Sequence, residues 1–245
     1  MNKEIKKKVL LTGGTAGIGR AIALLLAQHD YTIFLIGRSE EKLEDLKKDI
    51  AVLGLTHRFH FSLTDVTNLT AFEQQIKDWD AEYGSFDVLV NNAAIGYDAV
   101  EGKSIQDLHY LLNTNLLSYM WLSGFVGEKM KQKGIEGEMI QIGSMSATTK
   151  DAESSGYVAT KSAIRGFSEA LRKELNPSNI RVTLIEPGLV GSDMQSTTPD
   201  EERQKQAEKT MLTAEDIANV VLFVLQQPKR VDLCEIKVKP LKQFI

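Results

Sequence analysis

Residues 12–19 read Thr-Gly-Gly-Thr-Ala-Gly-Ile-Gly, and they follow the short apolar stretch Lys8-Val-Leu-Leu-Thr12. The residues that come next repeat apolar side chains at helical spacing. Gly13, Gly17 and Gly19 remove side chains at a junction between a strand and a helix, where free backbone N–H groups bind anions such as a pyrophosphate. The position of the turn favours a dinucleotide fold, and a plain tight turn is the alternative.

Outward from this turn, buried strand patterns alternate with amphipathic helix patterns along the whole chain. The predicted strands are residues 8–12, 31–36, 57–63, 86–91, 139–143, 180–185 and 233–238. The predicted helices are 17–28, 39–53, 67–83, two within 104–133, 156–175 and 213–225. Because such alternation forms parallel βαβ units, we predict an α/β fold. It is a Rossmann-like, doubly wound parallel sheet of about seven strands with helices on both faces.

The composition excludes several classes of function. The chain has 245 residues, of which 42% are hydrophobic and 25% charged, as in soluble globular proteins. Its net charge of −4 does not supply the basic face that nucleic acid requires. The lone Cys234 excludes a disulfide framework and a multi-cysteine zinc site. His57 and His60 lie three apart in a predicted strand and would face opposite sides, so we predict no metal site.

No membrane segment is expected either. The longest uncharged apolar run, residues 21–27, is too short to cross a bilayer. The apolar stretch after the N-terminal lysines stops at Thr12, well short of a signal peptide. We therefore predict a cytoplasmic protein in a reducing compartment.

The turn has the spacing G-x-x-x-G-x-G, and it resembles the cofactor turn of the short-chain dehydrogenase/reductase family. The resemblance extends from Lys8 to about Val238, with further motifs in the family's order. It implies one catalytic domain over residues 1–245. The segment 189–212 is a long polar stretch between core elements, and this pattern predicts an inserted substrate lid. The resemblance also implies a nicotinamide dinucleotide whose pyrophosphate lies on the turn. The implied contacts in the turn are Gly13, Thr15, Gly17, Ile18 and Gly19.

The end of the second strand indicates which dinucleotide is bound. In such folds an acid at this point selects the ribose hydroxyl of NAD, and an arginine accommodates the 2′-phosphate of NADP. Gly37 occupies the position of the acid, and Arg38 follows it. A charge-assisted bond to phosphate contributes about 1.5–3 kcal/mol, so we predict NADP(H) in preference to NAD(H). Alternatively, Arg38 is a solvated residue at a helix start, and Ala16 stands where some NADP-preferring members have a second basic residue.

Other motifs add implied cofactor contacts. Asp65 follows the third strand and matches the family aspartate that accepts from the adenine amino group. Asn91 matches an asparagine that ties neighbouring strands together. Pro187 and Gly188 resemble the wall beside the nicotinamide. The remaining implied contacts are Val66, Asn92, Ala93, Tyr157, Lys161, Val190 and Ser192.

Tyr157 and Lys161 carry the predicted chemistry. They are four residues apart on a predicted helix, so they share one face. A phenol has a pKa near 10, and a neighbouring ammonium group lowers it toward the working range. By resemblance, Tyr157 is the general acid/base and Ser144 positions the substrate oxygen, with Ser146 as a rival. Asn115 matches an asparagine that supports a proton relay through a water molecule.

The predicted function is hydride transfer between a nicotinamide and a carbonyl or secondary alcohol. The alternative is a non-catalytic NADP(H)-binding regulator on the same scaffold. Residues 145–156 and 189–212 should line the substrate pocket, and their polarity favours small polar substrates. The ending Cys234–Pro240 resembles that of members that act on 3-hydroxy acids and on serine- or threonine-like alcohols. The resemblance also implies a homodimer or homotetramer.

Overall fold

The computed structural model describes residues 7–192 and 197–244, and within them the predicted parallel sheet is present. Its strands are β1 (Lys8–Thr12), β2 (Thr32–Gly37), β3 (Phe59–Leu63), β4 (Val88–Asn91), β5 (Glu138–Ile142), β6 (Arg181–Pro187) and β7 (Glu235–Val238). Their spatial order is β3-β2-β1-β4-β5-β6-β7, and all neighbours are parallel. The order reverses direction between β1 and β4, where ligands bind in open α/β sheets.

Helices cover both faces of this sheet. They are α1 (Gly17–Gln28), α2 (Glu40–Val52), α3 (Leu69–Tyr83), α4 (Ile105–Leu112), α5 (Ser118–Lys133), α6 (Ser146–Thr149), α7 (Ser155–Leu175), α8 (Pro199–Ala207) and α9 (Ala214–Leu225). A π-helical turn, Asn113–Leu117, joins α4 to α5. Helices α1, α2 and α9 pack on one face, and α3, α5 and α7 pack on the other.

Strand β1 explains why two cores form. Successive side chains of a strand point to opposite faces, and β1 is apolar at every inner position. Val9 and Leu11 belong to the core under α1 and α9, while Leu10 belongs to the core under α3 and α5. All three side chains are fully buried. Continuous apolar runs of this kind are typical of parallel strands covered on both sides.

The predicted third strand begins too early. Residues Thr56–Arg58 form a 3₁₀ turn, closed by a 2.8 Å hydrogen bond from the Arg58 N–H to the Leu55 carbonyl, and β3 starts only at Phe59. The prediction that His57 lies in a strand is therefore wrong. His60 does lie in β3, where its ring stacks on Phe34 with centroids 4.4 Å apart.

The two ends of the segment 189–212, which the sequence predicted as a lid, lie side by side. The Leu212 N–H donates to the Leu189 carbonyl at 2.9 Å, and Val190 pairs with Leu212. Within the segment, Thr198 caps the N-terminus of α8 with a reciprocal capping box. Residues 193–196 lie outside the described residues.

Candidate active site

A cleft of about 870 Å³ opens at the carboxyl ends of the strands, at the point where the strand order reverses. It contains almost every residue that the sequence predicted for the site. Those that line it are Gly13, Thr15, Gly17, Ile18, Arg38, Asp65, Val66, Asn92, Ala93, Ser144, Tyr157, Lys161, Pro187, Gly188, Val190 and Ser192. Gly19 and Asn115 do not line it, and both are buried.

The glycine turn is closed tightly over the end of β4. Gly13 has a φ of +67°, and a Cβ there would lie 2.8 Å from the Ala93 Cα. A Cβ on Gly19 would lie 2.1 Å from the Gly13 carbonyl oxygen. Gly19 therefore allows the turn to fold onto α1, and its direct contact with a cofactor stays a prediction.

Asn92 and Thr12 hold the turn in place. The Thr12 hydroxyl accepts from the N–H groups of Asn92 and Ala93 at 3.1 and 3.2 Å. The Asn92 side-chain amide donates to the Gly13 carbonyl at 3.0 Å. One residue earlier, the Asn91 amide donates to Ser123 on α5 and to Gln141 on β5, at 2.9 and 3.0 Å. Asn91 thus ties neighbouring elements together, as its motif predicted.

At the end of β2 there is no space for an acidic side chain. A Cβ on Gly37 would lie only 2.3 Å from the Thr15 Cγ2. The exposed Arg38 guanidinium next to it hydrogen-bonds the Tyr110 hydroxyl of α4 and lies over that ring, 5.9 Å from its centroid. An aspartate at position 37 would therefore require Thr15 to move, whereas a cation at position 38 is already in place.

Asp65 belongs to the same network. The Tyr110 hydroxyl donates to its Oδ2 at 3.1 Å, and the N–H and hydroxyl of Thr67 donate to its Oδ1 at 2.8 Å each. Burial acts to raise the pKa of Asp65, but the hydrogen bonds and Arg38 lower it below its ordinary value. Tyr110 was missed by the sequence analysis, because it lies 72 residues from Arg38 and belongs to no local motif.

The residues present fit a nicotinamide dinucleotide with an extra phosphate. The turn has no side chain where a pyrophosphate would approach, and a Cβ on Gly17 would lie 3.2 Å from the Ser192 Cβ. Arg38 and Lys42 line the cleft where the adenosine part would lie. The donors are backbone N–H groups and cations, which suit phosphate oxygens.

Tyr157 and Lys161 lie at the opposite end of the cleft, on the first turns of α7. Lys161 is 1% exposed, and its Nζ donates to the Ile142 carbonyl at 2.9 Å. The same Nζ is 5.6 Å from the centre of the Tyr157 ring. Burial lowers the pKa of Lys161 to about 8, and the Glu186 carboxylate acts in the opposite direction.

Ser144 follows β5 and faces Tyr157. Burial raises the pKa of the Tyr157 phenol, and a hydrogen bond with Ser144 opposes that rise. The Ser144 Oγ also accepts from the Ser146 N–H at 3.1 Å. Ser146 lines the cleft as the first residue of α6, but the hydroxyl that hydrogen-bonds the phenol is that of Ser144.

Asn115 lies in the π-helical turn and is completely buried. Its Oδ1 accepts from the Ile95 N–H at 2.8 Å, and its Nδ2 donates to the Ile95 carbonyl at 2.9 Å and to the Thr160 hydroxyl at 3.3 Å. Its side chain therefore joins the loop after β4 to the residue before Lys161. Its role in a water-mediated relay stays a prediction.

The far wall is formed by Pro187 and Gly188, together with the C-terminal segment. The Gly188 N–H donates to the Val238 carbonyl at 2.7 Å, and the Leu189 N–H donates to the Gln243 Oε1 at 3.0 Å. Gln243 lines the cleft and was missed by the sequence analysis. Residues 54 apart meet here, and no local pattern predicts such a contact.

The predicted substrate segments line the cleft only in part. Five residues of 145–156 do so: Met145, Ser146, Thr149, Asp151 and Ser154. From the described part of 189–212, only Leu189, Val190 and Ser192 line it. Arg203 instead pairs with Asp200 on α8, and Met211 is buried. Tyr97 and Asp98, in the loop after β4, line the cleft although the sequence analysis did not name them.

Residues 7–192 and 197–244 contain no cluster of three or more His, Cys, Asp or Glu side chains arranged to hold a metal ion. No helix in them is both long and apolar enough to span a membrane.

Comparison with known proteins places the chain among oxidoreductases of known type. A family model described as short chain dehydrogenase matches residues 7–203. The NADP-dependent 3-hydroxy acid dehydrogenase YdfG of Escherichia coli O6:H1 is 33% identical over 242 residues, covering 96% of this chain and 95% of the relative. Its counterpart in Salmonella typhi is 34% identical with the same coverage.

Solved structures agree with this assignment. The closed form of a serine dehydrogenase in complex with NADP⁺ is 31% identical, with a TM-score of 0.83, over 97% of this chain and 96% of that one. A 4-hydroxyisoleucine dehydrogenase in complex with NADH has a TM-score of 0.85 at 21% identity, covers 96% and 98%, and shows the fold alone. With a family model over most of its length, this chain belongs to the short chain dehydrogenase family.

Proposed function

We propose that the chain is an NADP(H)-dependent oxidoreductase that interconverts a carbonyl group and a secondary alcohol. Its substrates are small polar hydroxy compounds of the 3-hydroxy acid class. The observation that carries the proposal is the composition of one cleft. Tyr157, Lys161 and Ser144 lie at one end of it, and Arg38 lies at the other.

Proton transfer is the step that the protein's own residues perform. The bound nicotinamide supplies or accepts the hydride. Tyr157 gives its phenolic proton to the carbonyl oxygen in reduction and takes the alcohol proton in oxidation. The Ser144 hydroxyl donates a hydrogen bond to the same oxygen, which stabilises negative charge as it develops there.

Lys161 makes the tyrosine usable near neutral pH. Burial raises the pKa of the Tyr157 phenol, and this effect alone would disfavour loss of the proton near neutral pH. A protonated Lys161 beside the ring favours the phenolate and counteracts burial. The pKa of Lys161 is lowered to about 8, so the ammonium form is present below that pH and is lost above it.

The cofactor preference follows from the adenosine end of the cleft. Gly37 has no room for a side chain, and Arg38 is exposed beside it. The Escherichia coli and Salmonella typhi relatives are named NADP-dependent, and the serine dehydrogenase structure contains NADP⁺. These facts support NADP(H), and the names of the relatives also support 3-hydroxy acids as substrates.

The experiment combines a binding titration with a catalytic one. NADPH and NADH are titrated separately by fluorescence, and turnover is measured with NADPH and a panel of 3-oxo acids and other small ketones. Tyr157→Phe should abolish turnover and keep NADPH affinity. Tyr119→Phe is the matched control, because Tyr119 also lies 5.6 Å from the Lys161 Nζ but does not line the cleft.

Three results would contradict the proposal. Tighter binding of NADH than NADPH would overturn the cofactor assignment alone. Binding of NADPH without turnover on any carbonyl compound would favour the regulatory alternative. Equal turnover of Tyr157→Phe and Tyr119→Phe would remove the role given to Tyr157.

A further inference from the structure

The proposed mechanism does not use the buried carboxylate that lies beside the reacting end of the cleft, on β6. Glu186 is 0% exposed and lies at the carboxyl end of β6, immediately before Pro187. Its Oε2 accepts from the Arg165 Nη2 at 2.6 Å, while its Oε1 is buried and has no hydrogen-bond partner among the described residues. A buried carboxylate that is only half satisfied costs stability.

Glu186 lies close to the anchor point of Lys161. Strands β5 and β6 pair Ile142 with Ile185, so Gly143 and Glu186 are the next residues of adjacent strands. A Cβ on Gly143 would lie 3.1 Å from the Glu186 Cγ. The Lys161 Nζ donates to the carbonyl of Ile142, the residue before Gly143. The Lys161 ammonium and the Glu186 carboxylate therefore lie beside neighbouring positions of β5 and β6.

Arg165 fixes the carboxylate in this place. It lies one helical turn after Lys161 on α7, and its Nη2 also donates to Thr148 at 2.9 Å and to Glu235 at 3.0 Å. One guanidinium therefore joins four elements around the reacting end of the cleft: α6, α7, β6 and β7. The Glu186 carboxylate is held by a fixed contact, which suits a group that acts through its charge.

We propose that Glu186 is a positioning residue for the reaction, whose buried negative charge keeps Lys161 protonated beside Tyr157. Among residues 7–192 and 197–244, Glu186 is the charged group that raises the pKa of Lys161 against the effect of burial, and the rings of Tyr157 and Tyr119 lie next to the same ammonium. Burial raises the pKa of Glu186 itself, and Glu235 from β7 acts in the same direction, whereas Arg165 from α7 and Lys237 from β7 lower it.

The test measures the protonation of Lys161 directly. The full-length protein is labelled with ¹³Cε-lysine and titrated by NMR, and the Lys161 signal is assigned by its absence in Lys161→Met. In Glu186→Gln the pKa of Lys161 should fall by about one pH unit or more. Glu235→Gln is the matched control, because it bonds the same Arg165 nitrogen from a side chain that is 39% exposed, and it should leave that pKa unchanged.

Kinetics provides a second measurement. At pH 7.5, kcat/KM of Glu186→Gln should fall about threefold, because a fall of one pH unit from a Lys161 pKa of about 8 reduces the protonated fraction by that factor, while its dissociation constant for NADPH stays at the wild-type value. Glu186→Asp, which keeps the charge, should recover most of that loss. An unchanged Lys161 pKa in Glu186→Gln, or an equal fall in Glu235→Gln, would overturn the proposal.

Folding is monitored by thermal unfolding of each variant. If Glu186→Gln does not fold, Arg165→Gln/Glu186→Gln removes both partners of the ion pair, and a smaller fall of the Lys161 pKa is expected. An unchanged pKa in that double variant would contradict the proposal. The use of the ammonium rests on the proposed function, but the titration needs no substrate. A protein that binds NADPH without turnover would refute the function and leave this test valid.

Discussion

The same three kinds of group lie in or next to the two ends of the cleft, in different surroundings. At the adenosine end, Arg38 is exposed, and it is connected through Tyr110 to Asp65. At the reacting end the matching groups are Lys161, Tyr157 and Glu186, of which the lysine and the glutamate are fully buried. A cation, a phenol and a carboxylate therefore have different functions near solvent and in the protein interior.

Exposure to solvent explains why the charged groups at the two ends have different functions. Exposed charges are screened, so Arg38 contributes affinity for an anionic ligand and little else. Buried charges interact strongly and change the pKa values of their neighbours, so Lys161 controls a proton. The first cluster should therefore determine which cofactor binds, and the second should determine the rate.

The largest expected effect comes from removing the buried cation. Lys161→Met should lower kcat/KM by about 10²–10⁴-fold, the contribution of a positioned acid/base that has lost its activation. In the wild type, activity that depends on the ammonium is present below pH 8 and lost as the pH rises through the Lys161 pKa of about 8. The pH–rate profile of Lys161→Met should lack that inflection.

The control for this prediction is Lys150→Met, which removes an exposed lysine from the loop that follows Ser144. Its kcat/KM should stay at the wild-type value. If both variants lose activity equally, the burial of Lys161 has no special consequence, and the comparison between the two ends fails.

An intermediate effect is expected at the exposed end. Arg38→Ala should weaken NADPH binding by about 10- to 150-fold, which corresponds to the loss of about 1.5–3 kcal/mol in a charge-assisted hydrogen bond. NADH lacks the 2′-phosphate and serves as the internal control, with an unchanged dissociation constant. Equal losses for the two cofactors, measured by fluorescence titration, would show that Arg38 supports the fold of the site and not the choice of cofactor.

Local sequence patterns correctly predicted the elements whose structure is determined by neighbouring residues in the chain. The bounds of β1 and α1 agree with the predicted 8–12 and 17–28, because the turn between them is defined by its own glycines. Tyr157 and Lys161 were placed on one helix face by their spacing alone. The 3₁₀ turn around His57 was missed, because a short turn before a strand has no period of its own.

Long-range contacts account for the site residues that were missed. Tyr110 meets Arg38 and Gln243 meets Leu189 across 72 and 54 residues, and neither pair follows a spacing rule. The same applies to the π-helical turn at Asn115, whose side chain is fixed by the backbone of Ile95. Burial of Glu186 also depends on the completed sheet, so a glutamate before Pro187 looked unremarkable in the sequence.

The smallest effect is expected for Tyr110→Phe, which removes one hydroxyl and keeps the ring. The hydroxyl holds both the Arg38 guanidinium and the Asp65 carboxylate, so its loss leaves Arg38 less ordered before the cofactor arrives. One hydrogen bond contributes about 0.5–1.5 kcal/mol, and NADPH should bind about two- to twelvefold more weakly. Tyr83→Phe is the control, because Tyr83 lies at the end of α3 outside the cleft and should change no affinity.

For Tyr110→Phe, the direction of the change in NADPH affinity is more informative than its size. Weaker NADPH binding by Tyr110→Phe means that the Tyr110 hydroxyl holds the Arg38 guanidinium in the position where it binds the phosphate. Tighter binding would mean that Tyr110 competes with the phosphate for Arg38, and ordering would then be confined to the buried end. In either case kcat should not change, because a phenol at the adenosine end that transfers no proton has no influence on the hydride step.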